Sequence, residues 1–413
     1  MGYHPLAAAD AGMIFAAFAA FWIVVLCAGP AGACAQDAFL DRRAAPWWLA
    51  ALSAASSEIS ALTLLAIPAA AFARGWGLVQ VFAASLIGRA IGWWMLPRWR
   101  SRGELTVYGA AGSSLGLAAR RISAGLFCSG RGLSSALRLA VAAAALSFVC
   151  GPSPEWCLAF LAVLAAAAIG YGGLRAAIWT GALQALFVAA AVACAAAYAV
   201  GQIPGGAHFV WNLAARSGRL SVFAGGISPF AWLAGLAGGW AAFCADHEIC
   251  QKFLACRSDR DARKAMAAAA ALSASALALL LCLGTCLLGY YGAHPALEIP
   301  TRLDYLLPHF SATILPGPLR GLVAAALLLT AADLPLSSLS AVSWSDLGGG
   351  GERLGAPARW ALAAVWAALL STAAAWMLDS QSLALWGMRA WPAVSWALLL
   401  VVVLGCFRPV AKK

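Results

Sequence analysis

Residues 45–75 read APWWLAALSAASSEISALTLLAIPAAAFARG, an apolar stretch of membrane-spanning length broken near its middle by Ser56-Ser57-Glu58-Ile59-Ser60, with Thr63 one turn on. An acid at the centre of a membrane helix costs about +3 kcal/mol even on lenient insertion scales, so it is retained only with a partner or a task. The stretch therefore predicts a functional site inside a bilayer. A polar cluster that serves only helix-helix packing is the plainer alternative.

The rest of the 413 residues fits a membrane setting, with 10% charged residues, 63% hydrophobic residues and a mean hydropathy of +0.84. A soluble domain would carry about 25% charge. Besides the opening stretch, apolar runs lie near 11–30, 77–97, 121–150, 154–172, 176–200, 227–245, 264–291, 316–345, 357–378 and 385–407, which predicts an all-α polytopic protein of about eleven membrane helices in one domain, 1–413. The first run is followed by Ala33-Cys34-Ala35, which resembles a signal-peptidase site, but it lacks a basic leader and is expected to stay as a helix.

The net charge of +11 comes from basic residues at alternate joints: Arg42/Arg43, Arg98/Arg100/Arg102, Arg120, Arg175, Lys252 to Lys264, Arg353/Arg359 and Arg408/Lys412/Lys413. The other joints hold few, among them Arg216, Arg219, Arg302 and Arg389. That asymmetry predicts a multi-pass cell (inner) membrane protein with its N-terminus outside and its C-terminus cytoplasmic, and it implies no nucleic-acid partner. The Gly/Pro-rich outer loops 201–226 and 292–315 are candidate lids; inner segment 246–264 reads equally as a surface-lying amphipathic helix or a solvated loop. Trp47, Trp48, Trp93 and Trp94 read as interfacial anchors, and His247 as part of a solvated turn.

Twelve cysteines without a CxxC pair predict neither disulfides nor a transition-metal site. With no Ser-His-Asp set, phosphate loop or HExxH motif, no enzyme and no organic cofactor are expected. Setting aside an extra helix within 1–38, interruptions fall in the first of ten remaining helices, Ser56–Ser60, and in the eighth, at Thr330, Asp333, Ser337 and Ser338. Broken helices at such places are the mark of a 5+5 inverted-repeat transporter, with repeats at 45–200 and 225–407.

Five stretches, in order, resemble the sodium:solute symporter family: FLDRRAAPWWLAALSAASSEIS (39–60), PRWRSRGELTVYGAAG (97–112), YGGLRAAIWTGALQ (171–184), DHEICQKFLACRSDRDARKA (246–265) and the segment 303–347 around LLLTAADLPLSS. The resemblance covers about three quarters of the chain and implies a LeuT-type fold and sodium-driven uptake of a small organic solute. It further implies that sodium is held by carbonyls of Ser56, Ile59 and Leu327 and by two adjacent hydroxyls on the eighth helix. Those positions are Thr330 and Ala331, so one hydroxyl is missing. Gly181 stands where the family commonly has Asp, Glu58 where many members have Asp or Asn, and Asp333 lies one turn beyond Thr330 on the same face.

Sodium is thus the favoured coupling ion, with Ser56, Ile59, Leu327, Thr330 and Asp333 as its residues; two acids in a dry site leave a proton as the alternative. The solute site is assigned to Glu58, Ser60, Thr63 and Arg138. Arg138 reads either as an anchor for a carboxylate, pointing to an amino acid or carboxylate as solute, or as a salt-bridge partner of Glu58, Asp333 or another acid. Arg131, seven residues earlier, reads as a snorkelling side chain. A relative that has lost transport and serves as a membrane sensor or assembly partner is the rival reading.

Overall fold

The structure, a computed structural model, describes residues 6–223, 228–379 and 381–408, and side chains at 379 and 381–391 lie outside the description. Gly225, Gly226, the Arg389 side chain, Lys412 and Lys413 fall in those gaps. The described residues form seventeen α-helices and no strand beyond isolated bridges. In chain order they are α1 (Ala8–Ala28), α2 (Ala35–Leu40), α3 (Trp47–Glu58), α4 (Ala61–Arg74), α5 (Leu78–Arg100), α6 (Val107–Leu115), α7 (Leu117–Cys150), α8 (Pro154–Gly201) and α9 (Gly206–Arg216). There follow α10 (Pro229–Cys244), α11 (His247–Leu254), α12 (Asp259–Ala293), α13 (Leu306–Thr313), α14 (Leu319–Ala332), α15 (Leu336–Val342), α16 (Ala356–Asp379) and α17 (Gln381–Phe407).

Three membrane helices are broken, and each break has a local cause. Between α3 and α4 the axis turns by 65°. Ile59 leaves the helix (φ −96°, ψ 82°), and Ser60 restarts it as an N-cap, its hydroxyl accepting from the Thr63 N–H at 3.4 Å. Between α10 and α11, Asp246 caps the new helix by accepting the Glu248 N–H at 3.0 Å. Between α14 and α15, Pro335 has no N–H to continue the ladder.

The expected runs at 154–172 and 176–200 are one helix, α8, turned at Gly173 (φ 57°, ψ −144°), where an added Cβ would stand 2.5 Å from the Ala38 carbonyl oxygen. Among the described residues seven helical spans are long and apolar enough to cross a membrane, eight with the bent α3–α4 pair; the shorter α10–α11 and α17 and the division of α8 at Gly173 bring the number to the expected eleven.

Packing follows membrane rather than aqueous rules, since helices approach through small residues. α5 and α10 pass so closely that a Cβ on Gly88 would lie 2.0 Å from the Leu236 carbonyl oxygen, and one on Gly239 2.0 Å from that of Ser85. α1 is pinned to α14, where Asp10, fully buried, accepts from Arg320 Nε at 2.9 Å and from the Gly321 N–H at 2.8 Å.

Three expectations change. Segment 246–264 is neither a surface helix nor a solvated loop at its start, because every residue of α11 is buried and α11 is the second half of a broken helix. His247 is fully buried, packed against Tyr108 and Phe127, not part of a solvated turn. The segments 201–226 and 292–315, expected as loops, are partly helical, carrying α9 and α13. Trp47, Trp48, Trp93 and Trp94 are all exposed, as interfacial side chains are.

Candidate functional site

Breaking a helix frees backbone carbonyls, and buried carbonyls must find donors. At the α3–α4 break the carbonyl of Ser56 accepts from the Ile59 N–H at 2.9 Å and from Gln184 Nε2 at 3.2 Å, and the carbonyl of Ile59 accepts from the same Nε2 at 2.9 Å. Gln184 comes from the second half of α8 and is 1% exposed. The Leu327 carbonyl accepts the Thr330 hydroxyl at 2.8 Å. The structure thus brings Ser56 to Ile59, and Leu327 to Thr330, around backbone oxygens held by neutral donors.

The second link in the site runs from Ser57 to Asp333. Ser57 Oγ lies 3.2 Å from Asp333 Oδ2 and also receives the buried ammonium of Lys252, which donates to the Ser53 carbonyl at 2.9 Å as well. Broken helices one, six and eight therefore meet through one hydroxyl. Ser60 and Thr63 hydroxyls sit 3.3 Å apart, and the Thr63 hydroxyl donates to the Glu58 carbonyl at 3.1 Å.

Two of the α7 arginines, Arg131 and Arg138, face the sixth-helix break. Arg131 Nη1 is 3.1 Å from Asp246 Oδ2 and its Nη2 contacts Glu248, so this buried side chain does not snorkel. Arg138 donates through Nη2 to the Ser57 carbonyl at 3.0 Å, with Nη1 3.7 Å from Glu248. Its acidic neighbour is thus another bundle acid, and Glu58 pairs elsewhere: Arg89 Nη2 on α5 lies 2.8 Å from Glu58 Oε2. The Arg89 guanidinium lies near the Phe82 and Phe243 rings, 5.0 and 5.1 Å from their centroids, while its Nε and Nη1 are buried without hydrogen bonds.

Sequence reasoning missed four of these residues. Arg89 was marked by a charge inside a membrane-length run. Asp246 and Glu248 were misplaced with the inner loop, and Gln184 carried no signal, since a single glutamine in an apolar helix usually serves packing. Around the breaks stand Glu58, Asp246, Glu248 and Asp333 against Arg89, Arg131, Arg138 and Lys252, all buried or half-buried. Four negative charges meet four positive ones.

Gly181 packs closely on α3. A Cβ there would stand 2.7 Å from Ser53 Oγ and 2.9 Å from Ser56 Oγ, so the acid common in the family would require both hydroxyls to turn away.

Cavities lie at both ends of the broken α3–α4 pair. One, of about 540 Å³, borders Pro46 and Leu49 at the start of α3 and is rimmed by Asp37, Asp41, Arg42, Arg175 and Arg257. Burial raises the Asp41 carboxyl above its ordinary value, with Arg175 opposing. The other, of about 170 Å³, borders Leu62, Leu65 and Ala66 on α4 and lies beside Arg302, Asp304 and Tyr305. It falls below the roughly 300–1,000 Å³ of ordinary ligand pockets.

Known proteins agree with this architecture. The sodium/sialic acid symporter SiaT of Proteus mirabilis is 22% identical over 356 residues, 83% of this chain and 71% of that protein. The sodium/sialic acid symporter NanT of Aliivibrio fischeri is 22% identical over 322 residues, 75% of this chain, which spans 63% of that relative's length. A Na+-coupled sialic acid symporter solved in a substrate-bound, outward-open state superposes with a TM-score of 0.87 at 19% identity, covering 97% of this chain and 87% of that one. A nucleobase-cation-symport-1 family transporter in a closed conformation gives 0.51 at 16% identity over 83% of this chain and 74% of its own. The family model for sodium:solute symporters matches residues 39–345. The chain therefore belongs to the sodium:solute symporter family, whose members are sodium-coupled membrane transporters and not enzymes.

Proposed function

We propose that this symporter carries sialic acid, or a closely related carboxylate-bearing sugar acid, into the cell together with Na+. The observation that carries the reading is the charge balance at the three breaks, four acids against four bases. An extra charge brought alone into a low-dielectric site costs several kcal/mol. A sodium ion and a monocarboxylate entering together leave the balance intact, and the relatives' substrate has that charge. The amino-acid half of the sequence expectation is set aside, and a non-transporting role is not favoured because the relatives are symporters.

In this reading Na+ is held by the carbonyls of Ser56, Ile59 and Leu327, the Thr330 hydroxyl and the Asp333 carboxylate. The solute lies against Glu58, Ser60 and Thr63, with its carboxylate drawn to Arg138. The repeats 45–200 and 225–407 rock about this centre. The arginine-rimmed cavity faces the cytoplasm, with the N-terminus outside and the C-terminus inside. Calorimetric titration of the purified protein with N-acetylneuraminate tests the reading. The expected result is at least tenfold tighter binding in NaCl than in KCl, with the solute tightening Na+ by the same factor; equal affinity in both salts contradicts it.

A further inference from the structure

Among the described residues, the buried Gln184 carboxamide bridges two carbonyls of the α3–α4 break, through Nε2 at 3.2 Å from Ser56 O and 2.9 Å from Ile59 O. Its orientation follows from chemistry, because two carbonyls facing one amide require its NH2 end. The opposite end, Oε1, is buried and accepts no hydrogen bond. A buried acceptor left without a donor costs about 1–3 kcal/mol, so the side chain is well placed for its nitrogen and badly placed for its oxygen. A small cation approaching Ser56 O and Ile59 O meets the space that Nε2 now fills, and an NH2 group repels it.

We propose that Gln184 is both the plug and a ligand of the cation site. With Nε2 inward it donates to both carbonyls, joining the Ile59 N–H on Ser56 O. With the amide turned end for end about its last torsion, a soft rotation, Oε1 faces the same carbonyls as a third oxygen and holds the cation among them. That oxygen replaces the hydroxyl lost at Ala331. One side chain thereby gives the site two exclusive states, so an ion entering must turn the amide, and the departing ion lets it reseal the carbonyls. The inference rests on the cation site of the proposed function and adds to it a residue from α8, with no charge introduced. Gly181 lies one turn earlier on α8, against the hydroxyls of Ser53 and Ser56, so α8 meets the break through a glycine and a neutral amide.

The test is thermal melting of the purified full-length protein without solute, titrating NaCl against KCl at constant ionic strength and pH 8, for wild type, Gln184→Met, Gln184→Glu and Thr330→Ala. The wild type is expected to melt higher in Na+ with a saturable midpoint. Gln184→Met is expected to melt lower in KCl and to need at least tenfold more Na+. Gln184→Glu, with acceptors only, is expected to melt lower in KCl yet recover in NaCl with unchanged or tighter Na+ dependence. If Gln184→Met binds Na+ as tightly as wild type or more tightly, the amide is only a plug, and the ligand role is overturned. Should Gln184→Met not fold, Gln184→Glu decides alone: recovery in NaCl supports the switch, and equal loss in both salts overturns it. If the wild type shows no Na+-specific rise, the cation site itself falls, and this inference with it; if wild type and Thr330→Ala behave as expected but the Gln184 variants track wild type, only this inference fails.

Discussion

Glu58, at the end of the first broken helix, and Arg89, in the middle of the next, meet at 2.8 Å with the arginine 8% and the glutamate 18% exposed in their side chains. The pair lies beside the unwound segment, with Phe82 and Phe243 near the guanidinium. Breaking a buried pair from one side leaves a lone charge at a cost of about 3–5 kcal/mol. Arg89→Met is thus expected to lower the melting midpoint sharply. The double variant Arg89→Met/Glu58→Gln is expected to recover much of the loss, a coupling read from a double-mutant cycle; additive losses would break the pairing.

Lys252 and Asp333 test the charge balance from opposite sides. Lys252→Met leaves the cluster one charge negative and is expected to tighten Na+ at least tenfold while weakening the solute carboxylate. Asp333→Asn leaves it one charge positive, with the reverse pattern. Calorimetric titrations of both ligands check the pair. Parallel losses of both affinities in both variants would mean that the residues serve only packing.

Asp10 and Arg320 hold α1 to α14 away from the site, through the Arg320 Nε contact at 2.9 Å and the Asp10 contact with the Gly321 N–H. Asp10→Ala removes the buried acceptor of Arg320 Nε and of the Gly321 N–H and is expected to lower the melting midpoint. Its Na+ dissociation constant is expected to stay within about twofold of wild type, because an independent distant site adds little coupling.

Gly181→Asp gives the chain the acid that the family commonly carries, yet Ser53 Oγ and Ser56 Oγ stand where the new side chain must begin. Overpacking of this kind costs about 1–3 kcal/mol. The variant is expected to melt lower and to bind Na+ no more tightly; a gain in Na+ affinity would show that the α3 hydroxyls yield readily.

How far the sequence reached can be judged residue by residue. The eleven passes and the break at Ser56–Ser60 were legible because hydropathy and a costly intramembrane acid are local signals. The break in the eighth helix was legible for the same reason, from Thr330, Asp333, Ser337 and Ser338, although the proline that ends the ladder, Pro335, was not part of that reading. The sixth-helix break was not, because α11, with His247, Glu248, Gln251 and Lys252, has the composition of a surface loop; its burial depends on partners far away in the chain. Arg131 shows the same limit, since only its meeting with Asp246 and Glu248 separates a buried arginine from a snorkelling one. Gln184 was invisible because its meaning lies in two carbonyls that exist only once another helix has broken.

The most direct measurement is uptake of radiolabelled N-acetylneuraminate into proteoliposomes holding the wild-type protein, with an inward Na+ gradient against an equal K+ gradient. Sodium-coupled transport of a carboxylate predicts accumulation above equilibrium only under the Na+ gradient, abolished by collapsing it and strongly reduced in Thr330→Ala. Accumulation that ignores Na+, or none of this solute while another carboxylate is taken up with Na+, would contradict the ion or the solute respectively.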